Sequence, residues 1–92
     1  MFYTYVLKSL KNQNLYTGYT NDLRKRIKEH NDGLSGFTKK YLPYELIYYE
    51  SCLDEGDAKA REKQLKSGYG KRYLKSRLKR FLKREFKEMD PV

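Results

Sequence analysis

Two segments rich in aromatic and β-branched residues lie close together at the start of the chain, and no other feature constrains the fold as strongly. They are Phe2–Leu7 and Leu15–Tyr19, and the polar segment 11–14 between them is typical of a turn. Strands joined by so short a connection pair as an antiparallel hairpin. Alternate residues of each strand face opposite sides of the sheet, so each tyrosine of the hairpin has a defined face.

A helix and a third strand are predicted after the hairpin. Apolar residues at helical spacing predict a helix from about Leu23 to Asp32, with polar residues suited to an N-cap at positions 20–22 and Gly33 at its end. Residues 33–43 are typical of a loop, and residues 44–50 are typical of a strand.

Helical patterns occupy the rest of the chain. Asp54 is suited to cap a second helix, which ends at the interrupting segment 67–70, and a strongly basic helix follows at about residues 71–89. This order of elements predicts an α+β fold, a small three-stranded antiparallel sheet flanked by helices. With 92 residues, the chain is expected to form a single domain over residues 1–92.

The charge of the chain indicates a polyanionic partner. Lys and Arg number 21 against 12 Asp and Glu, which gives a net charge of +9, and between Lys63 and Arg84 there are ten basic residues and no acid. Such a segment most often binds nucleic acid, because neutralising phosphates releases their counterions. The alternatives are a solvated face that aids solubility and an anionic membrane surface.

The cysteine and histidine content excludes two kinds of stabilisation. Cys52 is the single cysteine and His30 the single histidine, so the chain forms neither an intramolecular disulfide nor a zinc site of the usual Cys/His type. No apolar run reaches the roughly 18 residues of a membrane-spanning helix, and the start of the chain lacks a signal-peptide pattern. We therefore expect a cytoplasmic protein.

Two tyrosines and a glycine of the hairpin are candidates for a functional site. Tyr5 lies on the first strand and Tyr16 on the second, and each is also explained by ordinary packing. Gly18 is more informative, because a glycine within a strand weakens it and often marks a close approach of backbone or ligand.

Arg26 and His30 form a second candidate group on the first helix. They are four residues apart and therefore share a face. A surface ion pair between Asp22 and Arg26, and a packing role for His30, are the structural alternatives.

Glu62 is the third candidate, because its helical phase turns it toward the apolar side of the second helix. A carboxylate turned inward needs a partner, since an unpaired buried charge is costly. Lys66, four residues later, and a metal ion are both candidates.

Together these residues resemble the GIY-YIG nuclease superfamily. Tyr3–Tyr5 and Tyr16–Gly18 have the spacing of the two short motifs that name the family. Residues 19–27 are similar to the segment that follows, whose helix carries an essential arginine, and residues 58–66 are similar to the helix with the metal-binding glutamate. The resemblance runs from Phe2 to Leu78 and is to small bacterial members similar to the excinuclease C nuclease domain.

The resemblance implies hydrolysis of phosphodiester bonds with Mg²⁺ or Mn²⁺ as cofactor. Glu62 is then the metal ligand, which suits a hard cation that keeps several waters. Arg26 binds phosphate oxygens through its planar guanidinium. By the same resemblance Tyr5 takes the proton of the attacking water or relays it, and Tyr16 positions water or phosphate. His30 is a competing base or a proton relay, and the sequence does not choose between Tyr5 and His30.

We therefore predict a metal-dependent endonuclease that cuts DNA at a structural feature rather than a base sequence, in repair or recombination. The alternatives are a non-catalytic protein that binds DNA or RNA, with tyrosines that stack on bases, and a subunit that is active only with a protein partner. The oligomeric state is left open. The residues predicted to bind nucleic acid are Lys39, Lys40, Lys71, Arg72, Lys75, Lys79 and Lys83.

Overall fold

The computed structural model describes residues 1–89, with side chains up to residue 84. By internal contacts the chain divides into two compact units, Met1–Glu62 and a second unit that begins at Lys63. The strands and helices, in chain order, are β1 (Phe2–Ser9), β2 (Leu15–Thr20), α1 (Leu23–Asn31), a short 3₁₀ helix (Lys39–Tyr41), β3 (Tyr44–Cys52), α2 (Glu55–Lys66), α3 (Gly68–Arg77) and α4 (Lys79–Met89).

The three strands form one antiparallel sheet in the order β2-β1-β3, so the first strand lies in the centre. The predicted hairpin and the predicted α+β class, a small antiparallel sheet with helices, are both confirmed. In this register Tyr5 lies opposite Gly18 on β2 and opposite Tyr49 on β3. The ring of Tyr5 occupies the space beside Gly18, where a Cβ atom would lie 2.5 Å from the Tyr5 hydroxyl oxygen.

Both faces of β1 are buried within the first unit. On one face Tyr5 and Leu7 form the core with Tyr44, and Leu23 and Ile27 of α1 pack against this cluster. On the other face the Thr4 hydroxyl donates a hydrogen bond of 3.0 Å to the carbonyl oxygen of Ala58, which fixes α2 against the strand. Alternate residues of β1 therefore serve two helices on opposite sides of the sheet.

A second contact attaches α2 to the sheet. The guanidinium of Arg61 contacts both carboxylate oxygens of Glu50 on β3, with Nε 3.1 Å from Oε1 and Nη2 2.9 Å from Oε2. The Tyr48 hydroxyl donates to the same carboxylate at 2.8 Å. This two-point geometry fixes orientation as well as distance, so the segment of α2 that carries Glu62 is held in place.

The ends of α1 follow from local chemistry. The Asp22 side chain accepts a hydrogen bond from the backbone N–H of Lys25, which is the expected N-cap contact. At the other end Gly33 has a positive φ of 77°, and the N–H groups of Gly33 and Leu34 bond back to the carbonyls of His30 and Glu29. Glycine adopts this conformation without the penalty of a Cβ atom, so the helix ends here.

The helices of the second unit differ from the single basic helix predicted over residues 71–89. α3 begins earlier, at Gly68, because the Ser67 side chain accepts from the N–H of Gly70 and caps it. The helix then ends at Arg77, since Leu78 has φ −106° and ψ 25°, outside helical values, and α4 starts at Lys79. Residues 90–92 of the predicted 1–92 domain lie outside the described residues. Within residues 1–89, no helix is long and apolar enough to cross a membrane.

The packing of Tyr5 on Gly18 gives a first prediction. We expect Gly18→Ala to lower the stability of the fold by about 1–3 kcal/mol, because the added methyl group displaces the buried Tyr5 ring. For a domain of this size, each kcal/mol corresponds to roughly 4–8 °C in the melting temperature measured by circular dichroism. Gly36→Ala is the matched control, since a Cβ atom at Gly36 meets nothing within 4 Å. Equal melting temperatures for the two variants would contradict the close-contact explanation.

Candidate active site

A chain of three buried side chains links β1, α1 and the loop that follows α1. The Tyr5 hydroxyl oxygen lies 2.8 Å from His30 Nε2, and His30 Nδ1 lies 2.8 Å from Thr38 Oγ1. Tyr5 is 1 % exposed, and His30 and Thr38 are fully buried. Both ring nitrogens of His30 therefore have protein partners inside the fold.

The surrounding hydrogen bonds assign the direction of this chain. The Thr38 hydroxyl also lies 3.4 Å from the Ser35 carbonyl oxygen, which can only accept, so Thr38 donates there and accepts from His30 Nδ1–H. In this tautomer His30 Nε2 has a free lone pair and accepts the proton of the Tyr5 hydroxyl. Tyr5 is thus a hydrogen-bond donor to histidine, and its oxygen can at the same time accept from another group.

Arg26 lies one turn before His30 on α1 and turns toward the same hydroxyl. Its guanidinium interacts with the Tyr5 hydroxyl, which lowers the pKa of the phenol against the effect of burial, and forms an ion pair of 3.5 Å with Glu29. Burial lowers the pKa of Arg26, but the interactions with Tyr5 and Glu29 outweigh burial and raise the pKa above its ordinary value. The group therefore stays cationic. The pair with Asp22 considered from the sequence is replaced by these contacts, because Asp22 caps the helix.

Burial keeps Tyr5 and His30, the two titratable groups of the hydrogen-bond chain, neutral. It raises the pKa of Tyr5 to about 12, with the hydrogen bond from Arg26 opposing this and the charges of Tyr16 and Glu62 adding to it. It also lowers the pKa of His30 to about 4, and the positive charge of Arg26 lowers it further. At neutral pH the site therefore contains a phenol and a neutral imidazole beside a guanidinium.

Tyr16 forms the wall of the site on the β2 side. Its ring lies 5.1 Å from the ring of His30 between centroids, in an edge-to-face arrangement. On its other side it contacts Phe37, with 5.7 Å between ring centroids. Tyr16 is half-buried, so this wall is in contact with both the buried chain and the solvent.

Glu62 brings a carboxylate into the electrostatic range of Tyr5, since its charge raises the pKa of the phenol. Glu62 is half-buried on α2. In sites that process phosphates, Mg²⁺ is held by one or two carboxylates together with phosphate oxygens and waters. The chemistry of Glu62 therefore fits a divalent cation, with the remaining ligands from substrate and solvent.

The structure brings residues of three elements into contact: Tyr5 and Tyr16 both contact His30. Arg26 and Glu62 act on Tyr5 electrostatically, Arg26 by lowering the pKa of the phenol and Glu62 by raising it. Gly18 lies beside the Tyr5 ring. The candidate nucleic-acid residues are all exposed, and they are Lys39 and Lys40 in the first unit and Lys71, Arg72, Lys75, Lys79 and Lys83 in the second.

Thr38 is the site residue that sequence reasoning missed. It belongs to the segment 33–43, which has neither helical nor strand periodicity, and its partner His30 is eight residues earlier. A threonine between Phe37 and Lys39 gives no signal in the sequence that it is fully buried, so only the folded loop shows it.

Comparisons with known proteins identify the family. The model of the GIY-YIG catalytic domain matches residues 1–79, so the chain belongs to the GIY-YIG family, whose domain is a nuclease domain, and the resemblance read from the motifs is confirmed. A UPF0213 protein of Clostridium perfringens is 43 % identical over 67 residues, which cover 72 % of this chain and 71 % of that one. A UPF0213 protein of Staphylococcus saprophyticus is 38 % identical over 74 residues, 79 % of this chain and 89 % of that one.

A solved structure supports the same fold. The solution NMR structure of the UPF0213 protein BH0048 from Bacillus halodurans is 32 % identical, with a TM-score of 0.50, and covers 83 % of this chain and 84 % of its own. The α+β arrangement is therefore shared with a protein of known structure.

The low pKa of His30 predicts how stability depends on pH. Because the folded value of about 4 lies below the ordinary value of 6.5, the unfolded chain takes up the proton first. The contribution of neutral His30 to the free energy of unfolding is fully present above pH 6.5. It is lost as the pH falls from about 6.5 to 4, by up to about 3 kcal/mol. Denaturant unfolding at several pH values gives the free energy of unfolding of the parent and of His30→Gln. The difference between the two free energies isolates His30, because the carboxylates titrate in both proteins.

A second variant distinguishes the titration of His30 from a general loss of stability. Thr38→Val leaves the His30 N–H without an acceptor and should cost about 1–3 kcal/mol at all pH values above 6.5. This variant retains the titrating histidine, so we expect it to keep the acid-dependent loss that His30→Gln lacks. If the parent and His30→Gln lose stability in parallel between pH 6.5 and 4, His30 does not have a depressed pKa.

Proposed function

We propose that this chain is a divalent-metal-dependent endonuclease that hydrolyses DNA phosphodiester bonds. The observation that supports the proposal best is the buried hydrogen-bond chain from Tyr5 through His30 to Thr38, next to a cationic Arg26. A neutral proton relay beside a fixed guanidinium is what hydrolysis of a phosphodiester needs: a path for the proton of the attacking water and a positive charge for the phosphate.

Tyr5 is the proposed group that takes the proton from water, and His30 is the proposed relay behind it. His30 is fully buried and both of its ring nitrogens are engaged by protein groups, so its proposed place is behind Tyr5 rather than in direct contact with the attacking water. As the Tyr5 oxygen accepts the proton of water, its own proton passes to His30 Nε2. Thr38 holds the imidazole in the tautomer that can receive it.

Arg26 and Tyr16 have the proposed role of binding and orienting the phosphate. The guanidinium has its remaining N–H donors for two phosphate oxygens, a planar arrangement that lysine cannot provide. Tyr16 lies against the ring of His30 and limits the position of a water or phosphate on that side.

Glu62 is the proposed metal ligand, and Mg²⁺ or Mn²⁺ is the proposed cofactor. When bound, such a cation polarises the phosphoryl oxygen and stabilises the leaving oxygen. GIY-YIG nucleases typically use divalent metals, which agrees with a carboxylate near Tyr5.

The exposed basic residues of each unit are proposed to contact the DNA backbone. No part of the sequence resembles a module that reads base edges, so a structural feature of the DNA is the proposed target, in repair or recombination. Residues 1–92 are proposed to act together as one nuclease domain in the cytoplasm.

Substitutions of Glu62 and Arg26 test this function. We expect Glu62→Gln to reduce metal-dependent cleavage roughly 100-fold or more, because the amide keeps the shape of the side chain and removes the charge that binds the cation. Arg26→Lys should cause a loss of similar order while binding is retained, because the charge stays and the planar fork is lost. Cleavage is measured on labelled nicked, branched and single-stranded DNA with Mg²⁺, with Mn²⁺ and with EDTA.

Matched controls lie on the same helices. Glu55→Gln on α2 and Arg24→Lys on α1 change exposed groups, and we expect both to cut like the parent. DNA affinity of Glu62→Gln in EDTA should equal or slightly exceed that of the parent, since one negative charge is removed. A parent that cuts no substrate with either metal, yet binds DNA, would favour the non-catalytic binding protein.

The basic surface makes a separate prediction about salt. Each neutralised phosphate contributes about 0.9 to the slope of log affinity against log salt, so Lys75→Ala, Lys79→Ala and Lys83→Ala together should flatten that slope by up to about 3. Fluorescence anisotropy in EDTA at several salt concentrations measures it. The corresponding triple arginine variant keeps the charges and should keep the slope. An unchanged slope in the alanine variant would assign these lysines to a solvated face.

A further inference from the structure

Phe37 is an aromatic residue that the fold holds in solvent. It is 73 % exposed, although its neighbours Ser35 and Thr38 are buried, and Thr38 is fixed to His30. The backbone N–H of Lys39 bonds to the Ser35 carbonyl at 3.1 Å, so the segment is closed on itself around Phe37. Its outward position therefore follows from well-anchored neighbours.

The exposed ring continues the wall of the candidate active site. Phe37 contacts Tyr16 at 5.7 Å with 37° between the ring planes, and Tyr16 in turn contacts His30 at 5.1 Å. An aromatic surface thus extends from the buried relay to solvent. Through Tyr16 this surface adjoins His30, the hydrogen-bond partner of Tyr5.

The surroundings of Phe37 combine apolar area with positive charge. Leu34, on the same loop, is 71 % exposed, and Lys39 and Lys40 follow with exposed side chains. Aromatic rings for stacking next to cations for phosphates are the combination by which proteins bind unpaired nucleotides without reading their sequence.

We propose that Phe37 forms a base-binding subsite, in which its ring stacks on the nucleobase that adjoins the scissile phosphate. The inference rests on the proposed nuclease function and adds a specificity determinant to it. Stacking on Phe37 requires one face of that base to be free, so the base next to the cut has to leave its neighbour in the strand. Any of the four bases satisfies this requirement, because each has a π-face.

Cleavage of an oligonucleotide series tests the subsite. We expect Phe37→Ala to lower kcat/KM about 5- to 100-fold on an intact strand, and Phe37→Tyr to retain most of the parent rate. Phe37→Leu keeps apolar bulk without the ring and should resemble the alanine variant. Leu53→Ala is the matched control, since Leu53 is 85 % exposed and lies outside the site and its loop.

An abasic position separates stacking from a structural role of Phe37. When one nucleotide beside the cut lacks its base, kcat/KM of the parent should fall by the same factor that Phe37→Ala causes on the intact strand. The kcat/KM of Phe37→Ala itself should be equal on intact and abasic strands. If Phe37→Ala reduces the rate equally on intact and abasic strands, the ring only supports Tyr16 and the proposal is overturned. An alanine variant that cuts every strand like the parent overturns it as well.

A binding measurement keeps the proposal independent of cleavage. A strand with 2-aminopurine at successive positions, bound to the Glu62→Gln protein in EDTA, should show altered fluorescence at one position, and Phe37→Ala in the same background should abolish the change. If the parent cuts nothing but this signal depends on Phe37, the nuclease proposal fails and the base-binding subsite stands. If no position responds to the loss of the ring, the subsite is refuted even when the parent cuts DNA.

Discussion

The hydrogen bond between Tyr5 and His30 is the interaction on which the rest of the site depends. It requires a phenol ring to lie across the neighbouring strand, and the sheet register supplies the space by placing Gly18 opposite Tyr5. It also requires an imidazole of fixed orientation, which the Thr38 hydroxyl provides from the following loop. Two contacts of 2.8 Å each, one on either nitrogen of His30, thus connect the hairpin, the first helix and the loop after it.

Burial and charge in this site favour a relayed proton over a preformed phenolate. The free site keeps Tyr5 protonated and His30 neutral, and Arg26 holds the pKa of His30 down after burial has done so. In the proposed mechanism, a phosphate bound to Arg26 offsets that positive charge. The imidazole then becomes a better proton acceptor, while the phenolate becomes less favourable beside a second anion. The proposed relay agrees with both effects: Tyr5 gives its proton to His30 while its oxygen takes a proton from water, so no free phenolate forms beside the phosphate.

The parts of the fold that sequence predicts are those set by local pattern. Strand alternation and the short turn define the hairpin, and helical spacing predicts which residues share a face, including Arg26 and His30. Spacing alone does not decide between two possible partners of one side chain: Asp22 has the right spacing for an ion pair with Arg26, yet it caps the helix. The break at Leu78 is hidden because apolar residues keep helical spacing across it. Thr38 escapes prediction since its burial depends on a tertiary contact of a loop without periodicity.

The first motif supports two parts of the candidate site at once. Tyr5 faces α1, whereas Thr4 faces α2 and donates a hydrogen bond from its hydroxyl to the carbonyl oxygen of Ala58. Glu62 lies one helical turn after Ala58, on a helix that Arg61 also ties to β3 through two hydrogen bonds. The central strand therefore positions the proposed proton relay with one face and the helix of Glu62 with the other. A substitution at Thr4 that removes the hydroxyl is therefore expected to loosen the helix that carries Glu62, while Tyr5, on the opposite face of β1, keeps its hydrogen bond with His30.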